Sequence, residues 1–192
     1  MSRRDELAAN LAAVQARISN PDVNLIVVTK TYPVSDVQIL RDLGVTQFGE
    51  NRNEEGLEKS SAVDATWHYQ GEIQSRKLRD IAQWADVIHS LDTASHIAKL
   101  DSVATSEIDI FLQLSLDGDP SRGGVIESDL PALADAALAS SHLNLVGLMC
   151  VPPVAQDPRA AFTEIAGIHR RFNARYPAAI SLSAGMSGDF EI

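Results

Sequence analysis

Lys30 stands at the end of an apolar, partly β-branched run, residues 25–28, and is separated from it only by Thr29. A continuous apolar run of this length predicts a strand that is buried on both faces of a parallel sheet. Lys30 would then lie at the carboxyl end of the strand, where ligands collect in α/β folds. Partial dehydration there favours the free amine, which can form a Schiff base with an aldehyde. The alternative is a solvated lysine that marks the end of the strand.

A stretch rich in glycine and serine, residues 183–189, follows the last of seven predicted strands. Its glycines let a ligand approach the backbone, the Ser187 hydroxyl can bond a phosphate oxygen, and a following helix would offer unpaired N–H groups. Barrels often bind phosphate in the loop after strand seven, although ordinary turns use the same residues. A lysine after strand one would face this loop across one mouth. The combination predicts an aldehyde cofactor with a phosphate group, namely pyridoxal 5′-phosphate.

The elements that must position these residues alternate between strand and helix. An amphipathic helix comes first, with Leu7, Leu11, Val14 and Ile18 at helical spacing. Predicted strands follow, separated by helical patterns, at residues 25–30, 46–49, 67–70, 87–89, 108–116, 145–149 and 179–182. Such alternation argues for an α/β fold with a parallel sheet. Its unbroken succession favours a TIM-type (β/α)8 barrel with an extra amino-terminal helix, and an open doubly wound sheet is the alternative.

The predicted barrel is one unit short. Residues 1–192 read as a single domain without a linker, and only residues 183–192 follow the seventh strand. These are too few to supply an eighth strand and helix. A barrel without that unit would expose two strand edges. We therefore expect the domain to lack its eighth β/α unit and to be incomplete at its carboxyl end.

Three capping signals set the expected helix starts. Ser35 with Gln38 forms a capping-box pattern, Asp92 precedes a helical pattern, and Asp157 stands directly before Pro158. Short polar side chains bind the free N–H groups of a first helical turn, and proline is favoured at the first helical position. Helices are therefore expected to begin at these three places.

The composition limits the classes of partner. The 192 residues carry 26 acidic and 16 basic side chains, a net charge of −10, and no basic patch. Nucleic acid and anionic membrane are therefore not expected as partners. No apolar run approaches the roughly 18 residues of a membrane span. The single cysteine, Cys150, has the apolar neighbours typical of a buried, inert thiol, so a cytoplasmic protein is expected.

Four stretches, taken together and in order, resemble the signatures of one family. They are Val-Thr-Lys at 28–30, Phe-Gly-Glu-Asn at 48–51, residues 67–77, and residues 182–189. The sequence resembles the pyridoxal phosphate homeostasis proteins, which are single-domain relatives of the amino-terminal barrel of alanine racemase. The resemblance implies a (β/α)8 barrel that holds pyridoxal phosphate as a Schiff base. It also implies a part in controlling the supply of this cofactor, without an established turnover.

The same resemblance assigns roles to individual residues. It makes Lys30 the Schiff-base lysine and Ser187 a phosphate ligand, with the backbone N–H groups of Met186 and Ser187 beside it. Asn51 would reach the edge of the cofactor, and its alternative role is a helix cap.

Two further residues carry less defined roles under the resemblance. His68 could point into the barrel toward the ring, or it could be a core histidine with satisfied hydrogen bonds. Arg122 resembles a basic position that lies beside the cofactor in racemase-like barrels, or it is a mobile loop residue.

The sequence also departs from the family pattern. Family members carry an eighth strand with an arginine and a Gly-Thr pair, which meet the pyridine nitrogen and the phosphate. The sequence ends before these positions, so we expect a lower affinity for the cofactor. Ala184 and Gln70 replace larger or apolar residues and leave the shape of the pocket open.

Three functions remain open at this point. The first is a carrier or regulator of pyridoxal phosphate, expected to be a monomer that serves pyridoxal-phosphate-dependent apo-enzymes. Strong catalysis is not expected of it, because no second domain closes the site. The second is a small amino-acid racemase, which needs an acid/base group facing Lys30, with Tyr32 or His68 as candidates. The third is a barrel that binds another phosphate compound and uses Lys30 as a charge.

Overall fold

The computed structural model describes residues 1–192 and contains seven parallel strands in one sheet. The strands are β1 (Val27–Val28), β2 (Gln47–Glu50), β3 (Thr66–Tyr69), β4 (Val87–Leu91), β5 (Ile108–Leu114), β6 (Leu143–Cys150) and β7 (Ser181–Ser183). The helices are α1 (Arg3–Arg17), α2 (Val34–Asp42), α3 (Asn53–Ala62), α4 (Leu78–Ile81), α5 (Ala94–Val103), α6 (Leu130–Leu138) and α7 (Pro158–Arg175). None of these helices combines the length and the apolarity needed to span a bilayer.

The sheet curls into the wall of a barrel. Three strand spacings separate β4 from β7, which is about 14 Å in a flat sheet, yet His89 Nδ1 on β4 lies 2.8 Å from Ser183 Oγ on β7. The strands pair in sequence order, whereas a doubly wound sheet reverses its order at a switch point. The predicted α/β barrel fold with an extra amino-terminal helix is confirmed, and the doubly wound alternative is wrong. β1 and β7 do not pair with each other, so both are edge strands.

Two apolar clusters lie on opposite faces of the sheet, because successive side chains of a strand point to opposite sides. On β5, Ile110 belongs to the large cluster between sheet and helices. Phe111 belongs to a small cluster inside the barrel, together with Val87 and Met149. Cys150 is buried in the large cluster, and this burial raises the pKa of its thiol to about 12. The expectation of a buried, inert thiol is therefore confirmed.

β1 differs from its prediction. It contains only two paired residues, and Val28 keeps 43% of its surface exposed. The prediction of a strand buried on both faces is therefore wrong. The physical reason is that β1 pairs with β2 alone, so its other edge opens to solvent. Thr29 N still donates to Gly49 O at 3.0 Å, which extends the pairing to the residue before Lys30.

The predicted helix starts are only partly confirmed. Asp157 is the N-cap of α7, as expected. Pro33, whose φ is fixed, is the N-cap of α2; Ser35 therefore lies inside the first turn, and the predicted capping box is wrong. Thr93 caps α5 in place of Asp92. Asp92 instead accepts a hydrogen bond from a backbone N–H of the loop after β5.

Candidate functional site

The loops after β2 to β5 form a connected rim at the carboxyl end of the sheet. Gly71, after β3, packs so closely on the backbone of Asn51, after β2, that a Cβ on Gly71 would lie 2.3 Å from Asn51 O. Gly71 O accepts a hydrogen bond from Ser90 Oγ of β4 at 2.5 Å. Asp92 Oδ2 accepts one from Gly124 N at 3.0 Å. Packing therefore joins the loops after β2 and β3, and hydrogen bonds join the loop after β3 to the end of β4 and the loop after β4 to the loop after β5.

Lys30 lies at this end of the barrel, two residues beyond β1. It is exposed, its side chain makes no hydrogen bond or ion pair, and no other lysine follows a strand so directly. The chain turns sharply at this point, since Tyr32 N donates to Thr29 O at 3.0 Å and Thr31 has a φ of +69°. The amine of Lys30 is therefore available to a ligand.

Four polar side chains form one hydrogen-bonded chain across the barrel interior, which we call the interior chain: Gln47, His68, His89 and Ser183. The distances along it are 2.6 Å (Gln47 Oε1 to His68 Nε2), 2.8 Å (His68 Nδ1 to His89 Nε2) and 2.8 Å (His89 Nδ1 to Ser183 Oγ). Burial lowers the pKa of His68 to about 4 and that of His89 to about 3, so both rings are neutral near pH 7. A neutral ring has one donor and one acceptor nitrogen. Because Gln47 Oε1 only accepts, each group donates toward it, beginning with the Ser183 hydroxyl.

The segment after β7 is an exposed turn. Gly185 has a φ of +94°, in the left-handed region that favours glycine. Met186 N donates to the carboxylate of Asp189, while the Ser187 hydroxyl is exposed and has no hydrogen bond. A Cβ on Gly188 would meet no atom within 4 Å. The Met186 amide is therefore occupied by Asp189, whereas the Ser187 hydroxyl is unpartnered and has open space beside it.

Asn51 and Arg122 lie in different environments. Asn51 is exposed in the bend after β2; Arg52 is the N-cap of α3, so the helix-cap interpretation of Asn51 is wrong. Arg122 Nη2 donates to Val151 O at 2.9 Å and to Pro152 O at 2.7 Å. Arg122 thereby links the loop after β5 to the loop after β6.

The comparisons with known proteins identify the family of this chain. The alanine racemase N-terminal domain family matches residues 3–191. A pyridoxal phosphate homeostasis protein of Corynebacterium glutamicum is 40% identical over 178 residues, which cover 87% of this chain and 80% of that protein. One of Mycobacterium leprae is 36% identical over 224 residues, with 99% and 87% covered. This chain belongs to the pyridoxal phosphate homeostasis protein family.

Solved structures in and around this family share the fold. PipY of Synechococcus elongatus, solved with pyridoxal phosphate bound, superposes with a TM-score of 0.86 at 28% identity, covering 96% of this chain and 91% of PipY. Alanine racemase of Clostridium difficile gives a TM-score of 0.81 at 12% identity, covering 97% of this chain and 54% of the racemase. At that identity the racemase shows the fold alone.

In this family member the predicted site residues fall into two groups. Lys30, Asn51 and Ser187 are exposed, and their side chains make no hydrogen bond. His68 is 6% exposed with both ring nitrogens bonded in the interior chain, and the Arg122 guanidinium is held by backbone oxygens. The first group is open to a ligand, whereas the second group already has protein partners.

Sequence reasoning missed a buried ion pair beneath Lys30. Lys59 Nζ of α3 lies 2.6 Å from Glu50 Oε1 of β2, and their side chains are 3% and 0% exposed. The spacing of Glu55 and Lys59, four residues apart, could have indicated an ion pair, because it places both side chains on one face of a helix. That spacing is also common on solvated helices. The burial of Lys59 depends on the packing of α3 against β2, which the spacing does not predict.

Proposed function

We propose that this chain binds pyridoxal 5′-phosphate through a Schiff base with Lys30 and acts in the homeostasis of this cofactor. The observation that supports it most is the unpartnered amine of Lys30 at the carboxyl end of β1, in a fold shared with PipY. Condensation joins the amine nitrogen to the aldehyde carbon and releases one water. The bound cofactor would supply an electron sink.

We propose that the turn after β7 takes the phosphate group of this cofactor. The exposed, unpartnered Ser187 hydroxyl and the open space at Gly188 support this placement. Ser187 would donate its hydroxyl hydrogen to the phosphate, with the Ser187 amide beside it. The Met186 amide would join them once the phosphate displaces the carboxylate of Asp189.

The remaining predicted residues have secondary roles in the proposal. Asn51 would bond the edge of the cofactor with its exposed side-chain amide. Arg122 would border the site from the loop after β5. His68 would contribute from the barrel interior, where its two ring nitrogens are bonded to His89 and Gln47.

A racemase is disfavoured because His68, one of the two candidates for its second acid/base group, is committed to the interior chain. His68 has both ring nitrogens in the interior chain and is neutral near pH 7, since burial lowers its pKa to about 4. Tyr32 is 55% exposed, and the Arg3 guanidinium of α1 lies 5.8 Å from its ring centroid. Lys30 could serve one face of a substrate only, whereas racemisation needs a group on each face.

We further propose a cytoplasmic, monomeric carrier that passes the cofactor to pyridoxal-phosphate-dependent apo-enzymes. The acidic net charge of −10 and the buried single cysteine support this setting. Size-exclusion chromatography with light scattering tests the monomer, and recovery of apo-enzyme activity after mixing with the loaded protein tests the transfer.

The first test is the Lys30→Arg variant, with Lys99→Arg on the exposed face of α5 as the matched control. Arginine keeps the positive charge but cannot form the imine. We expect Lys30→Arg to abolish both the visible absorbance that appears with added pyridoxal phosphate and the borohydride-trapped adduct found by peptide mapping. Lys99→Arg should behave as the wild type. An adduct trapped on another lysine would contradict the assignment of Lys30 as the Schiff-base residue. If no imine forms and Lys30→Arg leaves ligand binding unchanged, binding of some other phosphate compound is favoured.

A further inference from the structure

A buried cluster of three charged side chains lies directly beneath the turn at Lys30, and we call it the Lys59 cluster. Lys59 Nζ lies 2.6 Å from Glu50 Oε1 and 3.1 Å from Glu55 Oε2. The side chains of Lys59 and Glu50 are at most 3% exposed, and that of Glu55 is 23% exposed. Burying an ammonium is unfavourable unless its partners are well placed. The cluster therefore has a defined geometry that the surrounding fold must maintain.

The Lys59 cluster binds the backbone on both sides of Lys30. Lys59 Nζ donates to Thr29 O at 2.7 Å, and Glu55 Oε2 accepts from Thr31 N at 2.7 Å. The side chain of Thr29, the residue before Lys30, is bonded as well: its Oγ1 donates to Glu50 Oε1 at 2.6 Å. The residues before and after Lys30 are thus held at three points, while the Lys30 side chain is left outside the cluster.

The strand alone does not fix this turn. β1 has two residues and one neighbouring strand, and Lys30 lies beyond its last paired residue. Thr31, a β-branched residue, has a φ of +69°, a conformation that such residues adopt only where their surroundings impose it. The hydrogen bond from Thr31 N to Glu55 stabilises this conformation, together with the bond from Tyr32 N to Thr29 O across the turn.

We infer that the members of the Lys59 cluster are positioning residues, which together hold the backbone at Lys30 so that its amine faces the barrel mouth. The inference rests on the proposed function, because Lys30 must be the residue that reacts with the aldehyde. A fixed backbone limits the directions in which the flexible Lys30 side chain can extend, so its amine meets an aldehyde in the barrel mouth more often and condensation is faster. Lys59 itself does not touch the reacting atoms in this assignment.

The test compares four variants of the full chain. Glu55→Ala removes the contact with Thr31 and leaves the buried Lys59–Glu50 pair intact, whereas Glu55→Gln keeps an oxygen that can accept from Thr31 N. The double variant Lys59→Met with Glu50→Gln removes both buried charges together, so that neither charge is left unpaired. Glu58→Ala, on the exposed face of the same helix, is the matched control.

Three quantities are measured on each variant that keeps the wild-type far-ultraviolet spectrum. They are the rate of imine formation with pyridoxal phosphate, the affinity for pyridoxine 5′-phosphate, which has no aldehyde, and the exchange rate of the Thr31 amide without ligand. For Glu55→Ala we expect imine formation roughly tenfold slower or more, faster exchange at Thr31, and unchanged affinity for pyridoxine 5′-phosphate. The double variant should lose rate in the same way. Glu55→Gln and Glu58→Ala should match the wild type.

Two results would overturn the inference. One is a wild-type rate of imine formation in both Glu55→Ala and the double variant. The other is an equal loss of pyridoxine 5′-phosphate affinity, because the defect would then be a general loss of the site. If the double variant does not fold, Glu55→Ala decides the question alone. Failure of the proposed function is distinct, since the wild type itself would then form no imine at Lys30.

Discussion

Two neutral histidines occupy the centre of the barrel, where β/α barrels are filled mainly by branched apolar side chains. His68 and His89 are almost fully buried, and His89 stacks on Phe111 with ring centroids 4.5 Å apart. Every ring nitrogen of the pair has a partner, which compensates for the lost contact with water. The interior chain is therefore stable only while both rings stay neutral.

This arrangement predicts that stability falls as the pH is lowered. A histidine with an unperturbed pKa near 6.5 in the unfolded chain takes up a proton there, whereas His68 and His89 resist protonation in the fold down to about 4 and about 3. Unfolding therefore becomes more favourable as the pH falls from 6.5 toward 4. We expect the free energy of unfolding to drop by roughly 2 kcal/mol or more between pH 7 and pH 4.5, since one pKa unit corresponds to about 1.4 kcal/mol.

Urea unfolding at constant ionic strength measures this dependence, and His89→Phe provides the comparison. Above pH 4.5 most carboxylates stay ionised, so the histidines dominate the change. The variant should be less stable at pH 7, because His68 and Ser183 lose a partner, and its pH profile should be shallower. A profile as steep as that of the wild type would mean that the interior chain is not the source.

At the scale of elements, β7 depends on one glycine of β6. A Cβ on Gly147 would lie 1.8 Å from Ser181 O of β7, so no side chain fits between the two strands. The register of β6 shifts just before this point, since Leu145 and Gly147 pair with consecutive residues of β5. This shift leaves Val146 as an extra residue, as in a β-bulge. The close approach allows β7, and the turn that follows it, to dock on the barrel.

Gly147→Ala is expected to displace β7 and to lower the free energy of unfolding by about 1–3 kcal/mol, the usual cost of overpacking. Because the proposed phosphate turn follows β7, the affinity for pyridoxine 5′-phosphate should fall as well. Urea unfolding and calorimetric titration measure the two effects.

Gly167→Ala on α7 is the control for this prediction. Its added Cβ would meet nothing closer than Arg171 Nη1 at 3.5 Å, and alanine is a better helix former than glycine by about 1 kcal/mol. We expect unchanged or increased stability and unchanged ligand affinity. Equal losses in both variants would contradict a specific role for the β6–β7 approach.

At the scale of the whole molecule, the sheet is unevenly supported. β5 and β6, which both have a neighbour on each side, pair with each other along seven positions. β1 pairs at two positions and β7 at three, each with one neighbour only. The proposed site residues Lys30 and Ser187 follow these two edge strands, so ligand groups would bind where the fold is least reinforced.

The rates of amide hydrogen exchange should follow this difference in strand pairing. We expect the amides of β4, β5 and β6 to exchange slowest, near the rate set by global unfolding, and those of β1 and β7 to exchange fastest through local opening. Mass spectrometry of peptides from the exchanging protein measures the order. Protection of β1 equal to that of β5 would show that the edges are held by more than the observed pairing.

The sequence by itself determined the succession of seven strands and the place of Lys30 after the first one. Both follow from local patterns, because apolar runs and helical periodicity record which face of each element is buried. The glycine-serine turn after β7 was likewise visible in the residue types, and four short stretches were enough to indicate the family. The interior position of His68 and the cap at Asp157 also followed from the sequence.

Only the tertiary structure decided how distant residues meet. His89 and Ser183 are 94 positions apart, and their contact requires the curvature of the whole sheet. The burial of Lys59 requires α3 to pack over β2, and the links from Arg122 require two loops to lie side by side. The exposure of β1 depends on the absence of a second neighbouring strand. Periodicity within an element cannot specify such contacts, because they depend on the relative placement of elements rather than on the pattern within any one of them.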